Sequence, residues 1–360
     1  MSGDPAPGIL FEALRDIDRL GAAYRDWESL IRQARAADLL GTLAVRLATR
    51  DLLGHVPAAP RAHLTGALYR CRAQEAAVRR EVEAVRGILQ PLRIPVILLK
   101  GAAYVMAELP PARGRMFSDV DILVPRDALP AVESTLMLGG YATTHPHPYD
   151  QRYYRRWRHE LPPMQHVKRM TIIDVHHTIV ADISGVHVDT AALFAAAVPL
   201  AAVPGMHVLA PVDMVLHSAT HLFRNEDLTH GYRDLVDLDA LLGRFGADPA
   251  FWSALPARAS QLGLGRPLYY ALHWTSRMFG TVAPAPVTAA VAAHAPPAGR
   301  RWLMEKLVER ALRPDARHAA TLWARRAMYV RGHWLKMPMP LLAWHLTVKA
   351  FRRDEPSALP

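Results

Sequence analysis

The sequence predicts an α+β fold, in which a small set of strands near the middle of the chain is flanked by helical regions on both sides. Apolar residues recur at helical spacing through residues 8–90 and again from residue 212 onward. Short apolar runs of the length and alternation typical of strands lie between these regions, at 96–99, 119–124 and 170–176. We expect further short strands at 141–144, 186–189 and 206–209. The order of helices, strands and helices indicates a central sheet covered from both ends of the chain.

Composition and length agree with a globular protein of more than one part. Hydrophobic residues make up 51% of the 360 residues and charged residues 21%, so the chain can bury a sizeable core and is not disordered. A chain of this length predicts roughly two to three domains. We expect an N-terminal helical region at 1–92, a sheet-containing catalytic core at 93–210 and a C-terminal helical domain at 211–360.

Three carboxylates are predicted to meet on the strands of the core. Asp119 and Asp121 are two residues apart on a strand, so their side chains face the same way. Asp174 lies on a later strand with the same alternation, and His176 shares its face. Like charges this close are unfavourable unless a cation lies between them. Carboxylates from neighbouring strands form an oxygen-rich site that suits Mg²⁺ or Mn²⁺.

A second set of residues can bind phosphate. Lys100 and Gly101 lie where an apolar strand passes into a helix, and backbone N–H groups at a helix N-terminus suit an anion. Arg115 and Ser118 precede the carboxylate strand and can add contacts to phosphate. The alternatives are a surface lysine beside a turn glycine and solvated loop residues.

The order of these residues resembles a bacterial nucleotidyltransferase family with a DNA polymerase β-like catalytic core. The matching positions are Leu99-Lys100-Gly101, Arg115, Asp119-Val120-Asp121-Ile122-Leu123-Val124, Gly140-Tyr141 and Asp174-Val175-His176. The resemblance implies a small mixed sheet, an NTP substrate, and two Mg²⁺ ions on Asp119 and Asp121 with Asp174 completing the site. It also implies that Lys100, Gly101, Arg115 and Ser118 contact the nucleotide. The chain departs from the wider superfamily at Ala102, where a serine or glycine is usual.

The resemblance implies transfer of a nucleoside monophosphate from an NTP to an acceptor hydroxyl or phosphate, with release of pyrophosphate. A small molecule, a sugar, a peptide and a protein all remain open as acceptors, and transfer of a terminal phosphoryl group is a related possibility. The alternative from another class is a catalytically silent scaffold on the same fold that holds an anionic partner. A nucleic-acid-binding module would depend on charge alone and is the weakest interpretation.

The charge balance and the tail of the chain bear on partners and location. The formal net charge is +10, which favours anionic partners. Interleaved arginines and aromatics at 145–158 form a candidate substrate-facing segment. The basic, tryptophan-containing helices after residue 300 are interpreted first as a solvated face, with contact to an anionic membrane surface as the alternative. A single cysteine and no signal-like or membrane-spanning apolar stretch predict a cytoplasmic protein.

Overall fold

The computed structural model has the predicted α+β architecture, with a mixed sheet between two helical regions. It describes residues 8–145, 147, 151, 154, 160–181, 185–225, 227–314 and 318–336. Most of the basic and aromatic segment predicted at 145–158 therefore lies outside the described residues, as does the chain after residue 336.

Seven strands of the described chain form one sheet in the order β3-β4-β5-β2-β1-β7-β6. The strands are β1 Val96–Leu98, β2 Asp119–Leu123, β3 Tyr141–Thr143, β4 Met164–His166, β5 Ile172–His176, β6 Val198–Pro199 and β7 Met206–Val208. β2 is parallel to β5 and β1 is parallel to β7, whereas the remaining neighbours are antiparallel. The strand with the paired aspartates is thus the central strand of the sheet.

Fourteen α-helices lie in the described residues. The N-terminal helices are α1 Ile9–Arg15, α2 Trp27–Ala36, α3 Leu40–Thr49 and α4 Ala58–Leu89. The helices of the core are α5 Lys100–Met106, α6 Leu129–Leu138 and α7 Thr190–Ala196. The C-terminal helices are α8 Pro211–Arg224, α9 Gly231–Phe245, α10 Pro249–Gln261, α11 Gly265–Phe279, α12 Ala285–Ala292, α13 Ala298–Ala311 and α14 Ala319–Lys336. None of the described helices combines the length and apolar character that crossing a membrane would take.

The buried apolar side chains form two clusters that meet at α9. The larger cluster joins the second half of α4, the sheet and the C-terminal helices, and the smaller cluster joins α1, α2, α3 and the start of α4. Leu235 and Leu238 of α9 belong to the larger cluster, while Tyr232 and Val236 on the same helix belong to the smaller one. α9 therefore packs between the N-terminal helices and the core.

The structure corrects one local prediction, because a strand was expected at 186–189 and these residues form none. The reason is Asp189, whose carboxylate accepts a hydrogen bond from the backbone N–H of Ala192 at 3.2 Å and begins helix α7. An N-cap aspartate favours the start of a helix over the continuation of a strand. The strand beside β7 is instead β6, which follows that helix.

Candidate active site

The predicted carboxylates do lie on one face of the sheet. In the parallel pair β2–β5, Asp121 is directly opposite Asp174, and Asp119 lies two residues earlier on the same face as Asp121. This arrangement follows from the period of two along a strand, which was the basis of the prediction. The parallel register then decides which carboxylates become neighbours, and the sequence alone did not contain it.

A cleft of about 290 Å³ opens over this face. One wall is formed by polar side chains of the sheet region, and the opposite wall by one face of helix α8. The lining side chains include Lys100, Asp119, Glu160, Asp174, His176, His217, Thr220, His221, Arg224 and Asn225. Pockets that bury a ligand between a few convergent polar groups are the usual form of small-molecule sites.

Asp121 lies behind the lining residues, with 3% of its surface exposed. Its Oδ1 accepts hydrogen bonds from Lys100 Nζ at 2.8 Å and from His176 Nε2 at 2.9 Å. Burial would raise the pKa of Asp121, but the Lys100 ammonium and His176 outweigh burial and hold that pKa well below its ordinary value. Asp121 is therefore a carboxylate that stays ionised and fixed in position.

Asp174 and Asp119 face the cleft and have the opposite electrostatic character. Burial and the neighbouring charges of Asp121 and Glu160 raise the pKa of Asp174 to about 7. The buried Oδ1 of Asp174 has no hydrogen-bond partner among the described residues. Burial and the charge of Asp121 also raise the pKa of Asp119, while a hydrogen bond from Ser118 opposes that effect. A cation in the cleft would therefore stabilise the ionised forms of both carboxylates.

Glu160 is a site residue whose role was not predicted from the sequence. Its Oε2 lies 3.3 Å from His176 Nδ1, on the opposite side of the ring from Asp121. Burial would lower the pKa of His176, but the hydrogen bond to Asp121 and the charge of Glu160 raise it. The backbone of Glu160 pairs with that of His176 in an isolated antiparallel β-bridge, outside the seven strands. Strand periodicity therefore could not locate it.

Lys100 and Gly101 have local structural reasons for their identity. Lys100 begins α5 with φ at +45°, in the left-handed backbone region that residues other than glycine rarely adopt. With the backbone in this conformation, the Lys100 side chain reaches Asp121. A Cβ at position 101 would collide with the ring of Phe117, so the close approach of α5 to the segment before β2 requires glycine. Lys100 lines the cleft, whereas Gly101 does not.

Arg115 lies away from the cleft, and Ser118 lies beside it. The Arg115 guanidinium forms a buried ion pair with Asp237 of α9, and Asp234 lies 3.9 Å from it. The guanidinium carbon is also 5.8 Å from the centre of the Tyr104 ring. The structure thus gives Arg115 partners within the protein, and its predicted contact with phosphate stays a prediction. Ser118 is exposed and hydrogen-bonds Asp119.

The family resemblance predicts that α8 packs beside the site, and the histidine pair on this helix at i, i+4 could otherwise bind a transition metal. One face of this helix carries His217, Thr220, His221 and Arg224. The last three follow His217 by three, four and seven residues, which is the spacing of neighbours on a helix surface. Burial, followed by the charge of Lys100, lowers the pKa values of both histidines, so they are neutral hydrogen-bonding groups. His221 Nδ1 lies 3.6 Å from Asp234 of α9. Helical spacing would have found this face had it been read as a cleft wall.

Two carboxylates of the cleft are available to a divalent cation. Within the described ranges, no group of three or more His, Cys, Asp or Glu side chains is arranged to hold a metal ion by itself. Asp119 and Asp174 nevertheless present carboxylates to the cleft, and Asp174 Oδ1 is a buried acceptor without a partner. Mg²⁺ is commonly bound by one or two carboxylates together with substrate phosphates and water. These two carboxylates are the residues that would hold it.

Comparison with known proteins supplies the family. A model described as an uncharacterised nucleotidyltransferase matches residues 24–280, which is well over half of the chain. The chain belongs to this nucleotidyltransferase family. The match includes the whole sheet, the carboxylates and both helices α8 and α9. No curated protein and no solved structure matches the chain. The resemblance inferred from the sequence is therefore confirmed at the level of the family.

Proposed function

We propose that this nucleotidyltransferase-family protein transfers a nucleoside monophosphate from an NTP to an acceptor hydroxyl or phosphate in a Mg²⁺-dependent reaction. The observation that carries the proposal is the group of three carboxylates on one face of β2 and β5, of which Asp119 and Asp174 line the cleft and Asp121 lies behind Lys100. The acceptor oxygen forms a bond to the α-phosphorus, and the bond from that phosphorus to the pyrophosphate oxygen breaks. Pyrophosphate then leaves.

Each cleft residue has a definite part in this proposal. Asp174 accepts the proton of the acceptor hydroxyl, because it faces the cleft and its Oδ1 has no hydrogen-bond partner among the described residues. Asp119 and Asp174 would hold Mg²⁺, and the bound ion would neutralise phosphate charge. Lys100 contributes a point charge for the triphosphate. Arg224 and the neutral His217 and His221 face these groups from α8 and can contact the rest of the substrate.

Two other activities are compatible with the same fold and cleft. Transfer of the terminal phosphoryl group would use the same carboxylates and differ only in which phosphorus is attacked. A catalytically silent scaffold would keep the fold and hold an anionic partner through its basic C-terminal helices. The three clustered carboxylates favour the enzyme, because an idle site has no physical need for such charges. Since the reaction consumes NTP, we propose a cytoplasmic setting.

Labelled nucleotides distinguish these possibilities. The protein is incubated with Mg²⁺, a cell extract as the source of acceptors, and each NTP labelled either at the α- or at the γ-phosphorus. Nucleotidyl transfer moves the α-label to an acceptor and releases the γ-label in pyrophosphate. Phosphoryl transfer moves the γ-label instead. The background is measured with a double variant that carries Asp119→Asn and Asp174→Asn. If the parent protein moves neither label above that background, the result favours the scaffold.

A further inference from the structure

The ammonium group of Lys100 lies inside the carboxylate cluster. Nζ is 2.8 Å from Asp121 Oδ1, and the ammonium also feels the charges of Asp119 and Glu160. Lys100 lines the cleft while Asp121 lies behind it, so the lysine is between that carboxylate and any bound substrate. Asp121 Oδ1, the oxygen that a shared metal ion would need, therefore already has an ammonium 2.8 Å away.

The chain fixes this placement at both ends of the contact. Lys100 has a left-handed backbone, and Gly101 is held against the Phe117 ring, so the start of α5 has little freedom to turn the lysine away. On the other side, His176 donates a second hydrogen bond to the same Asp121 oxygen at 2.9 Å. Asp121 Oδ1 thus has two donors, whereas Asp174 Oδ1 has none among the described residues.

Charge decides how many metal ions this arrangement accepts. Two-metal sites hold their ions about 3.5–4 Å apart, bridged by shared carboxylates. Here a bridging ion on Asp121 would lie beside a fixed ammonium, and like charges at that distance repel strongly in a buried site. Asp119 and Asp174 face the cleft without that obstacle, and Mg²⁺ readily completes its coordination with phosphate oxygens and water.

We propose that the Lys100 ammonium takes the place of one of the two metal ions, and that the chain binds a single divalent cation, together with the nucleotide, at Asp119 and Asp174. This inference rests on the proposed nucleotidyl transfer and specifies its metal requirement. Lys100 then has two tasks, because it neutralises Asp121 and presents its positive charge to the phosphates. The requirement for two Mg²⁺ ions, implied by the family resemblance, is replaced by one ion and one lysine.

Binding of Mn²⁺, followed by electron paramagnetic resonance, tests the number of ions without any turnover. The full chain is saturated with a non-hydrolysable α,β-methylene NTP and titrated with Mn²⁺. We expect one bound Mn²⁺ per chain and a spectrum without coupling between ions. Two bound ions with spin coupling would overturn the inference and leave the proposed transfer intact. No Mn²⁺ bound beyond that on free nucleotide would contradict the proposed function itself.

Replacing the lysine tests its part directly. In Lys100→Met we expect a second Mn²⁺ to bind, with coupling to the first, because Asp121 loses its resident cation. Lys306→Met serves as the matched control, since Lys306 is an exposed lysine on α13, and it should still bind one ion. A single ion of unchanged affinity in Lys100→Met would overturn the assignment to Lys100. If circular dichroism shows that Lys100→Met is unfolded, Lys100→Gln takes its place, and the count in the parent protein still decides.

Discussion

Asp174 is the residue at which the proposed chemistry and the electrostatics of the cleft meet. Replacing it with asparagine keeps the size of the side chain but removes the negative charge and the proton acceptor. If Asp174 activates the acceptor oxygen, Asp174→Asn lowers kcat even when Mg²⁺ and NTP are saturating, because the proton acceptor is lost. We expect a loss of at least about a hundredfold, the scale of a general-base contribution. Affinity for NTP measured by calorimetry without Mg²⁺ should change little, whereas affinity for NTP together with Mg²⁺ should fall because a ligand of the ion is lost.

Asp189→Asn is a matched control for that experiment. Asp189 caps α7, and asparagine is an equally good N-cap, so both the fold and the turnover should be kept. The assay is pyrophosphate release with the true acceptor, or slow NTP hydrolysis without it. Full turnover in Asp174→Asn would show that another group accepts the proton.

Arg115 can be tested for two different roles with one variant. Its ion pair with Asp237 is buried, and removing one partner of such a pair costs about 3–5 kcal/mol, since the other charge is left uncompensated. We therefore expect Arg115→Met to lower the free energy of unfolding by about that amount, as measured by denaturant titration. Arg113→Met, at an exposed position in the same loop, should have little effect. Unchanged stability with weakened NTP binding would instead support the predicted phosphate contact.

The sequence located the charged residues of the site better than it located their contacts. The common face of Asp119 and Asp121 follows from strand geometry alone, and the structure has it. The contact from Lys100 to Asp121 depends on a left-handed backbone conformation at Lys100. The presence of a lysine in a sequence does not predict that conformation. Arg115 has a long side chain that can reach either the cleft or α9, and its direction is decided by Asp234 and Asp237 of a distant helix.

Helix α4 is joined to the edge of the sheet by a buried carboxylate. Glu81 accepts hydrogen bonds from Thr171 Oγ1 at 2.6 Å and from Arg169 Nε at 2.7 Å, and it also contacts the Tyr141 hydroxyl. These partners lie on β3 and next to β5, so one side chain ties the longest N-terminal helix to two parts of the core. Hydrogen bonds to charged groups contribute about 1.5–3 kcal/mol each.

Stability should depend on pH through Glu81. Burial would raise its pKa, but the hydrogen bonds from Arg169, Thr171 and Tyr141 outweigh burial and lower that pKa below the ordinary value of 4.5. A lowered carboxyl pKa means that the stabilisation is fully present above pH 4.5 and is lost as the pH falls through the lower, folded-state value. Glu81→Gln should therefore cost about 1.5–3 kcal/mol at pH 7, with the difference from the parent shrinking below about pH 4.5.

Urea titrations of both proteins from pH 3.5 to 8 measure this difference. Glu83→Gln is the control, because Glu83 lies on the same helix but is exposed, and its pair with Arg86 is of the kind that contributes little. A penalty in Glu81→Gln that stayed constant over the whole range would show that the carboxylate charge is not the source.

At the level of elements, the sequence predicted the strands that carry apolar runs and missed β4 and the two-residue β6. β1, β2, β5 and β7 were all expected near their observed positions. β4 contains only Met164-Gln165-His166, and its pairing with β3 and β5 supplies what local propensity does not. The strand expected at 186–189 failed for the opposite reason, because the cap at Asp189 prevailed over an apolar pattern.

The positions of the described helices also bear on the whole molecule and its surroundings. α13 and α14 pack against each other and expose Trp302, Trp323 and Trp334, with 62%, 69% and 55% of their surfaces accessible. The spacing of Trp323 and Trp334 equals about three helical turns, so both lie on one face of α14. The guanidinium carbon of Arg326 is 5.9 Å from the centre of the Trp323 ring. Tryptophan beside arginine on an exposed helix face is typical of surfaces that bind at a lipid interface.

Vesicle binding tests whether this face of α14 is a solvated surface or contacts an anionic membrane. We expect the protein to sediment with vesicles containing phosphatidylserine and not with purely phosphatidylcholine vesicles, and added salt should release it because the attraction is screened. Trp323→Ser combined with Trp334→Ser should weaken vesicle binding at least about tenfold, since each buried aromatic ring contributes more than 1 kcal/mol. Leu138→Ser, at a position 91% exposed on α6, is the matched control and should bind like the parent. Equal binding by the tryptophan variant and the parent, or no binding to either vesicle, would leave the basic helices as a solvated face.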